Sequence, residues 1–260
     1  MLGAIIGDIV GSRFEFEPIK EKDFELFTDK CRFTDDTVMT VANAAWILEG
    51  SLKKEVLIEK MHEYGNKYIE CGFGNRFKEW LISRSIEPYN SFGNGSAMRV
   101  SPVVFISNSI YGARFLARAS SEVTHNHIEG VKGAEAVASA MFLAKEGYSK
   151  EDIKVYIEAE FGYNLERKVD DIKKGYSFDV SCQGSVPEAI VCFIESTSFE
   201  DAIRNAISLG GDCDTQGAIA GAISEMYYGV PEEIKKKALS YLDKELIEVV
   251  NEFYKKNKIK

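Results

Sequence analysis

Two short stretches of the chain carry paired carboxylates. RFTDDTVMT (Arg32 to Thr40) sets Asp35 and Asp36 side by side between Thr34 and Thr37. SLGGDCDTQGAIAGAI (Ser208 to Ile223) sets Asp212 and Asp214 one residue apart, directly ahead of Thr215. Each pair stands where a helical run begins. An aspartate or threonine at that position caps a helix, typically worth about 1 kcal/mol, and acids in a first turn complement the helix dipole. One carboxylate is enough for a cap, so the doubling needs its own cause. Two carboxylates a few ångströms apart in a partly buried place repel, and one takes up a proton unless positive charge lies between them. Four carboxylates with threonine hydroxyls make an oxygen-only ligand set, which suits Mg²⁺, Mn²⁺ or Ca²⁺ and not zinc. Four such charges could neutralise two divalent ions. The twelve-residue EF-hand pattern is absent.

Between the acidic pairs lie two glycine loops and a histidine. In YNSFGNGSAMR (Tyr89 to Arg99), Gly93 and Gly95 let backbone N–H groups approach an anion closely. Ser91, Asn94 and Ser96 add hydrogen-bonding side chains. ECGFGNRF holds Gly72 and Gly74, a second candidate phosphate loop. No strand precedes either loop, so G-x-G here is no dinucleotide fingerprint, and either could serve as a plain surface turn. His125 opens THNHIEG, where a neutral imidazole could bond a phosphate or a sugar hydroxyl; Thr124 or Asn126 could equally act as a cap. His62 sits in an ordinary amphipathic segment and is assigned no role.

The elements that must position these residues are helices. DTVMTVANAAWILEG has apolar residues at helical spacing from Asp36 and ends at Gly50. Further helical runs are LIEKMHEYGNKYIE, SIYGARFLARASSEVT, IEGVKGAEAVASAMFLAKEG, SKEDIKVYIEAEFG, VPEAIVCFIES, SFEDAIRNAISLGG, TQGAIAGAISEMYYG and PEEIKKKALSYLDKELIEVVNEFYKKN. Ser149 with Asp152, and Ser198 with Asp201, have capping-box spacing; Pro187 and Pro231 suit first turns. Gly217 and Gly221, four apart, share one helix face and mark a buried central helix. No alternating strand pattern and no Pro/Gly/Ser-rich linker occurs, so the 260 residues read as a single all-α domain, with 256–260 a frayed tail.

Composition narrows the function. The formal net charge of −9 argues against an extended nucleic-acid face, which needs a basic stripe. The apolar N-terminal run is interrupted by Asp8 and is too short to span a bilayer or to serve as a good signal peptide. Five cysteines without a C-x-x-C pair suit a reducing cytoplasm better than a disulfide framework or a thiolate zinc site.

FTDDT near one end and GGDCDT near the other together resemble the ADP-ribosylglycohydrolase family, which includes the ADP-ribosyl-acceptor hydrolases and the dinitrogenase-reductase-activating glycohydrolase. The intervening motifs agree in order. GAIIGDIVGSRFEF resembles the family's opening helix and glutamate-bearing loop, FGNGSAMRVSPV its glycine-rich ligand loop, and SSEVTHNHIEGVKGAEAVA its Thr-His helix start. The resemblance runs from about Gly3 to Gly229 and implies an all-α fold with a binuclear Mg²⁺ or Mn²⁺ centre in a cleft. It implies metal ligation by Thr34, Asp35, Asp36, Asp212, Asp214 and Thr215. It makes Glu15 the catalytic carboxylate, where the sequence alone would favour a solvated loop acid near Glu17 and Glu21, with Asp36 helping to position a water. Substrate binding falls to Gly72, Gly74, Ser91, Phe92, Gly93, Asn94, Gly95, Ser96, Met98 and His125, in preference to His127; Phe92 would stack on adenine or pack on ribose. Asp8 organises the first helix near the site. Cys213 stands where serine is usual and Gln216 where a smaller or apolar residue is, the latter a change that could disturb packing.

The reaction implied is hydrolysis of the glycosidic bond joining ADP-ribose to an acceptor. Its substrate is an ADP-ribosylated protein or small molecule, its product ADP-ribose, and a monomer is expected. A metal-dependent hydrolase of a phosphate ester or a small N-glycoside would share these motifs, as would a catalytically silent member that keeps the fold.

Overall fold

The computed structural model describes residues 1–257. Among the described residues there are fifteen α-helices and no sheet, only an isolated antiparallel bridge between Gly93 and Ser181. In chain order the first eight are α1 (Leu2–Gly11), α2 (Asp35–Leu48), α3 (Lys54–Lys67), α4 (Asn75–Ile82), α5 (Gly95–Met98), α6 (Ser101–Phe105), α7 (Ile110–Glu122) and α8 (Ile128–Lys145). They are followed by α9 (Lys150–Phe161), α10 (Val169–Lys173), α11 (Cys182–Glu195), α12 (Phe199–Ile207), α13 (Cys213–Tyr228), α14 (Glu232–Leu239) and α15 (Lys244–Lys256).

The axis of the fold is an antiparallel pair, α1 against α13. Gly3, Gly7 and Gly11 recur every fourth residue along one face of α1, and Gly217 and Gly221 do so on α13. Without side chains on those faces the backbones nearly touch: a Cβ on Gly7 would lie 2.0 Å from the Gly217 carbonyl oxygen, and one on Gly3 2.1 Å from that of Gly221. Every residue of α1 is buried, as is α13 from Cys213 to Ser224. Gly217 and Gly221 thus mark the central helix the sequence predicts, and the α1 glycines are its other half.

Around this pair, α2 packs on α1, α3 and α15, while α8, alanine-rich and buried from Val131 to Ala144 apart from Lys132, packs on α7, α11 and α13. The arrangement brings the first turns of α2 and α13 together beside the C-terminal end of α1. No helix among the described residues is long and apolar enough to cross a membrane.

Local expectations are met where a cap dictates them. Ser149 and Asp152 form the full capping box. The Ser198 hydroxyl accepts from Asp201 N at 3.1 Å, but the Asp201 carboxylate turns to Thr197 N instead of completing the box. Pro187 does not open its helix: α11 starts at Cys182, because Ser181 caps Gly184 N, and Pro187 lies inside it. Pro231 is the residue before α14, not its first turn. The last predicted helix is two, divided at Ser240–Asp243, where Asp243 caps α15 through Leu246 N. Lys256 still belongs to α15 and its ammonium reaches the Leu48 carbonyl, so the expected fraying does not begin there; residues 258–260 of that tail lie outside the described residues.

A methyl group at Gly7 would meet backbone, which cannot step aside. Gly7→Ala is therefore expected to lower the unfolding free energy by about 3 kcal/mol or more. Gly175→Ala, where an added Cβ meets nothing within 4 Å, is expected to stay within about 0.5 kcal/mol of the parent. Urea unfolding of both variants checks this.

Candidate metal and ligand site

The first acidic pair is held by a third carboxylate. Asp8, fully buried on α1, accepts from Thr34 N at 2.9 Å, Thr34 Oγ1 at 2.7 Å, Thr37 N at 3.1 Å and Thr37 Oγ1. These are groups of the first turn of α2, whose N–H donors have no partners inside the helix. Asp8 thus acts as a cap delivered from another helix, and it fixes the direction in which Asp35 and Asp36 leave α2. Asp35 is further anchored by its N–H to the Cys71 carbonyl at 2.8 Å. Gly72 lies directly against it, since a Cβ there would sit 3.0 Å from Asp35 Oδ1.

The second pair is held from the other side. Asp212 precedes α13 and its Oδ2 accepts from Asn94 Nδ2 at 2.7 Å; the same amide reaches Ser185 Oγ at 3.1 Å. Thr215 Oγ1 donates to Asp36 Oδ2 at 3.2 Å across 179 residues of sequence, a direct bond between the two motifs. Glu15, on the loop leaving α1, completes the cluster: its carboxylate and those of Asp212 and Asp214 offer oxygens all within 4.8 Å of one another.

None of these cluster carboxylates has an ion-pair partner among the described residues. Burial first, then the neighbouring acids, push Asp35, Asp36 and Asp214 well above the usual carboxylate range. Burial raises Asp212 to about 6, even though Asn94 donates to it. Glu15 is raised to about 8 by burial and then by Asp214, with Arg32 opposing. Asp36 Oδ1 is buried and has no hydrogen-bond partner. Crowded oxygens, an orphaned acceptor and the lack of a paired cationic side chain fit a divalent cation.

The cluster forms one end of a cavity of about 410 Å³. Of the residues expected from sequence, Glu15, Asp35, Asp36, Gly72, Gly74, Ser91, Gly93, Asn94, Gly95, Met98, His125, Asp212, Asp214 and Thr215 line it. Three do not. The Thr34 hydroxyl is spent on Asp8 and on Asp36 N. Ser96 Oγ donates to the Gly130 carbonyl at 2.7 Å. Phe92 sets its ring edge-on to His127, with centroids 5.5 Å apart. Cys213 also points elsewhere, its thiol toward the carbonyls of Ile207 and Gly211, while Gln216 is accommodated by donating to Tyr176 Oη at 2.9 Å.

The cavity is also lined by basic and aromatic groups. Arg99, 1% exposed, donates through Nη2 to the Ser120 carbonyl and to Thr124 Oγ1, both at 2.9 Å, and burial lowers it to about 10. His125 bonds Thr124 Oγ1 through Nδ1 at 2.7 Å. Gly95 and Gly93 crowd its Nε2, where added Cβ atoms would lie 3.1 and 3.6 Å away. Burial, then Arg99 and Arg76, hold His125 well below the usual histidine range, so it is neutral at physiological pH. Tyr89, Phe73, Phe77, Arg76, Phe178 and Val180 also line the cavity. Tyr89 and Arg99 bound the glycine-loop stretch and Arg76 follows Gly74 by two residues, so their neighbourhood was marked in the sequence. Phe178 and Val180 lie in no recognisable motif.

Comparison with known proteins follows this geometry. A family model described as ADP-ribosylglycohydrolase matches residues 1–259. ADP-ribosylhydrolase ARH3 of Mus musculus is 27% identical over 89% of this chain and 83% of its own length. The Homo sapiens ARH3 is 26% identical over 95% and 90%. ADP-ribosylarginine hydrolase Tri1 of Pseudomonas putida (strain GB-1) is 27% identical over 92% and 73%. A solved structure described as an ADP-ribosylglycohydrolase-related protein complex shares the fold, with a TM-score of 0.69 at 23% identity over 92% of this chain and 95% of that one.

The raised carboxylates make a cation-free stability profile that slopes downward. An acid whose folded pKa exceeds its unfolded value binds more protons folded than unfolded, so stability falls as pH rises between the two values. For Asp212 that window runs from 3.8 to about 6 and for Glu15 from 4.5 to about 8, with Asp35, Asp36 and Asp214 adding to it. Protein stripped of metal is expected to lose melting temperature steadily from about pH 5 to about pH 8. Asp36→Asn is expected to raise the melting temperature of the stripped protein at the upper end. Mg²⁺ or Mn²⁺ is expected to restore the parent most where the loss is greatest. Calorimetric scans across pH check all three; a flat or rising profile in stripped protein would contradict the electrostatic reading.

Proposed function

The chain belongs to the ADP-ribosylglycohydrolase family, and we propose that it hydrolyses the glycosidic bond between ADP-ribose and an acceptor in the cavity between α2 and α13. Its relatives are named for hydrolysis of ADP-ribose linkages, and this chain is an enzyme of that class. The observation that carries the site assignment is the meeting of both acidic pairs, joined by the Thr215–Asp36 bond, on one wall of the ligand-sized cavity.

In the reaction, water adds its oxygen to C1 of the ribose, the bond from C1 to the acceptor atom breaks, and the acceptor leaves with a proton. The transition state has oxocarbenium character and is helped by negative charge near the ring and by a proton supplied to the leaving atom. Asp35, Asp36, Asp212 and Asp214, with the hydroxyl of Thr215, would hold two divalent cations, Mg²⁺ or Mn²⁺. Bound there, the ions would neutralise the carboxylates, orient the ribose hydroxyls and make a water more acidic.

The remaining steps fall to the chain's own groups. Glu15 sits on a loop at the edge of the cluster, only partly buried, with a pKa raised to about 8. A carboxyl so placed can hold a proton near neutral pH and pass it to the departing acceptor, or take one from the attacking water. Asp36 Oδ1, without a protein partner, is free to help place that water. Asp8 holds the Thr34–Thr37 turn so that Asp35 and Asp36 keep their direction through the cycle. The Gly93 and Gly95 loop presses backbone on neutral His125, giving the ligand hydrogen-bonding surface without further negative charge. The five unpaired cysteines support a reducing cytoplasm as the setting.

A panel of ADP-ribosylated acceptors, incubated with Mg²⁺, with Mn²⁺ and with chelator, tests the proposal. Free ADP-ribose is expected from at least one acceptor and only with metal. Release of inorganic phosphate, or turnover in chelator, would replace it. Asp35→Ala and Asp214→Ala are expected to cut turnover by at least about a thousandfold. Glu15→Gln is expected to lower kcat by about 10²- to 10⁴-fold, as for loss of a general acid–base group, with KM within a few-fold.

A further inference from the structure

The cavity that holds the carboxylates also holds a guanidinium with capacity to spare. Arg76 is the second residue of α4, a helix that begins at Gly74–Asn75 without a side-chain cap. Its guanidinium lies over the Tyr89 ring, 4.9 Å from the centroid, and Nη2 donates to the Tyr89 carbonyl. Those two contacts anchor the group and leave most of its five N–H donors available. Arg114, Arg118, Arg167 and Arg204 each pair with a glutamate, whereas Arg76 has no carboxylate within ion-pair distance among the described residues. It lines the cavity together with Arg99, which is buried, has no carboxylate partner either, and keeps an unpaired Nε. His125 lines the same cavity, held below the usual histidine range by burial and then by both arginines, and it carries no charge to compete.

The cavity is therefore lined both by acids and by guanidinium groups that have no carboxylate partner. A ligand that fills it can offer hydroxyls to the first and an anion to the second. We propose that Arg76 is a specificity-determining residue that recognises a phosphate of the substrate's diphosphate, and so restricts the site to ADP-ribosyl compounds over uncharged N- or O-ribosides. This rests on the glycohydrolase reading, because the diphosphate is the linker of its substrate. The planar guanidinium fork suits paired N–H donation to phosphate oxygens, which a flexible ammonium would match less well. Arg76 is exposed, and water and salt moderate the attraction without removing it.

The alternative role for Arg76 is structural: a tie between the first turn of α4 and the Tyr89 carbonyl. The two roles separate when ADP and adenosine are titrated calorimetrically into parent, Arg76→Gln and Arg76→Lys proteins, with and without Mg²⁺, beside melting temperatures and steady-state kinetics. Arg76→Gln retains a donor for the Tyr89 carbonyl and loses the charge. Its ADP affinity is expected to fall about ten- to a hundredfold, with adenosine affinity and melting temperature unchanged. KM for the ADP-ribosylated substrate should rise by a similar factor at nearly constant kcat. Arg76→Lys is expected to recover part of the loss. Equal weakening of ADP and adenosine, or an unchanged preference for ADP, would overturn the assignment. Either result, obtained while the parent still releases ADP-ribose, would leave the glycohydrolase reading standing; absence of ADP-ribose release by the parent would remove that reading instead.

Discussion

Carboxylates brought together out of water repel one another, and a fold that gathers five of them must hold them by force of packing or neutralise them. Here the holding is done by backbone contact. α1 and α13 approach so closely that glycine is required at Gly3 and Gly7 against Gly221 and Gly217, and that contact delivers the Glu15 loop to the first turn of α13. Asp8, projecting from the same α1, receives four hydrogen bonds from Thr34 and Thr37 and pins the first turn of α2 beside it. The close packing is non-directional and supplies stability; the Asp8 clamp is directional and supplies register. Neither relieves the repulsion, which remains as raised proton affinity in Asp35, Asp36, Asp212, Asp214 and Glu15. A cation would convert that cost into binding energy, and this is why the cluster makes physical sense as a metal centre and little sense as a set of helix caps.

The same cavity also carries groups of opposite character. Arg99 is buried without an anionic partner, His125 is kept neutral, and Arg76 sits over the Tyr89 ring. Charges of both signs in one cavity favour a ligand of complementary pattern. An ADP-ribosyl group, with ribose hydroxyls beside a negatively charged diphosphate, has such a pattern. Glu15 is the one carboxylate of the cluster on a loop and only partly buried.

Much of this was legible in the sequence because it is written locally. Each acidic pair is contiguous or nearly so, sits at a helix start, and exceeds what capping needs; Gly217 and Gly221 share a face by simple periodicity. The all-α architecture follows from the same periodicity, and motif order gave the family. What was not legible depends on distance. Asp8 reads as one acid in an apolar helix until Thr34 and Thr37 are placed against it, and Gly3, Gly7 and Gly11 gain meaning only with α13 alongside. Phe92 sits in the ligand-loop motif, yet its ring turns to His127, a choice made by packing between α8 and the loop. Phe178 and Val180 reach the cavity from a segment without periodicity or motif, because the strand-like bridge of Gly93 to Ser181 carries them there. Pro187 misled for a related reason: Ser181 is the stronger start signal, and it moves the helix five residues earlier.

The most direct examination is anomalous diffraction from crystals grown or soaked with Mn²⁺, recorded near the manganese absorption edge. The expected result is two peaks among the carboxylates of Asp35, Asp36, Asp212 and Asp214, both lost in Asp214→Ala crystals. Crystals that diffract well in saturating Mn²⁺ and show no peak at that cluster would contradict the metal-centre account.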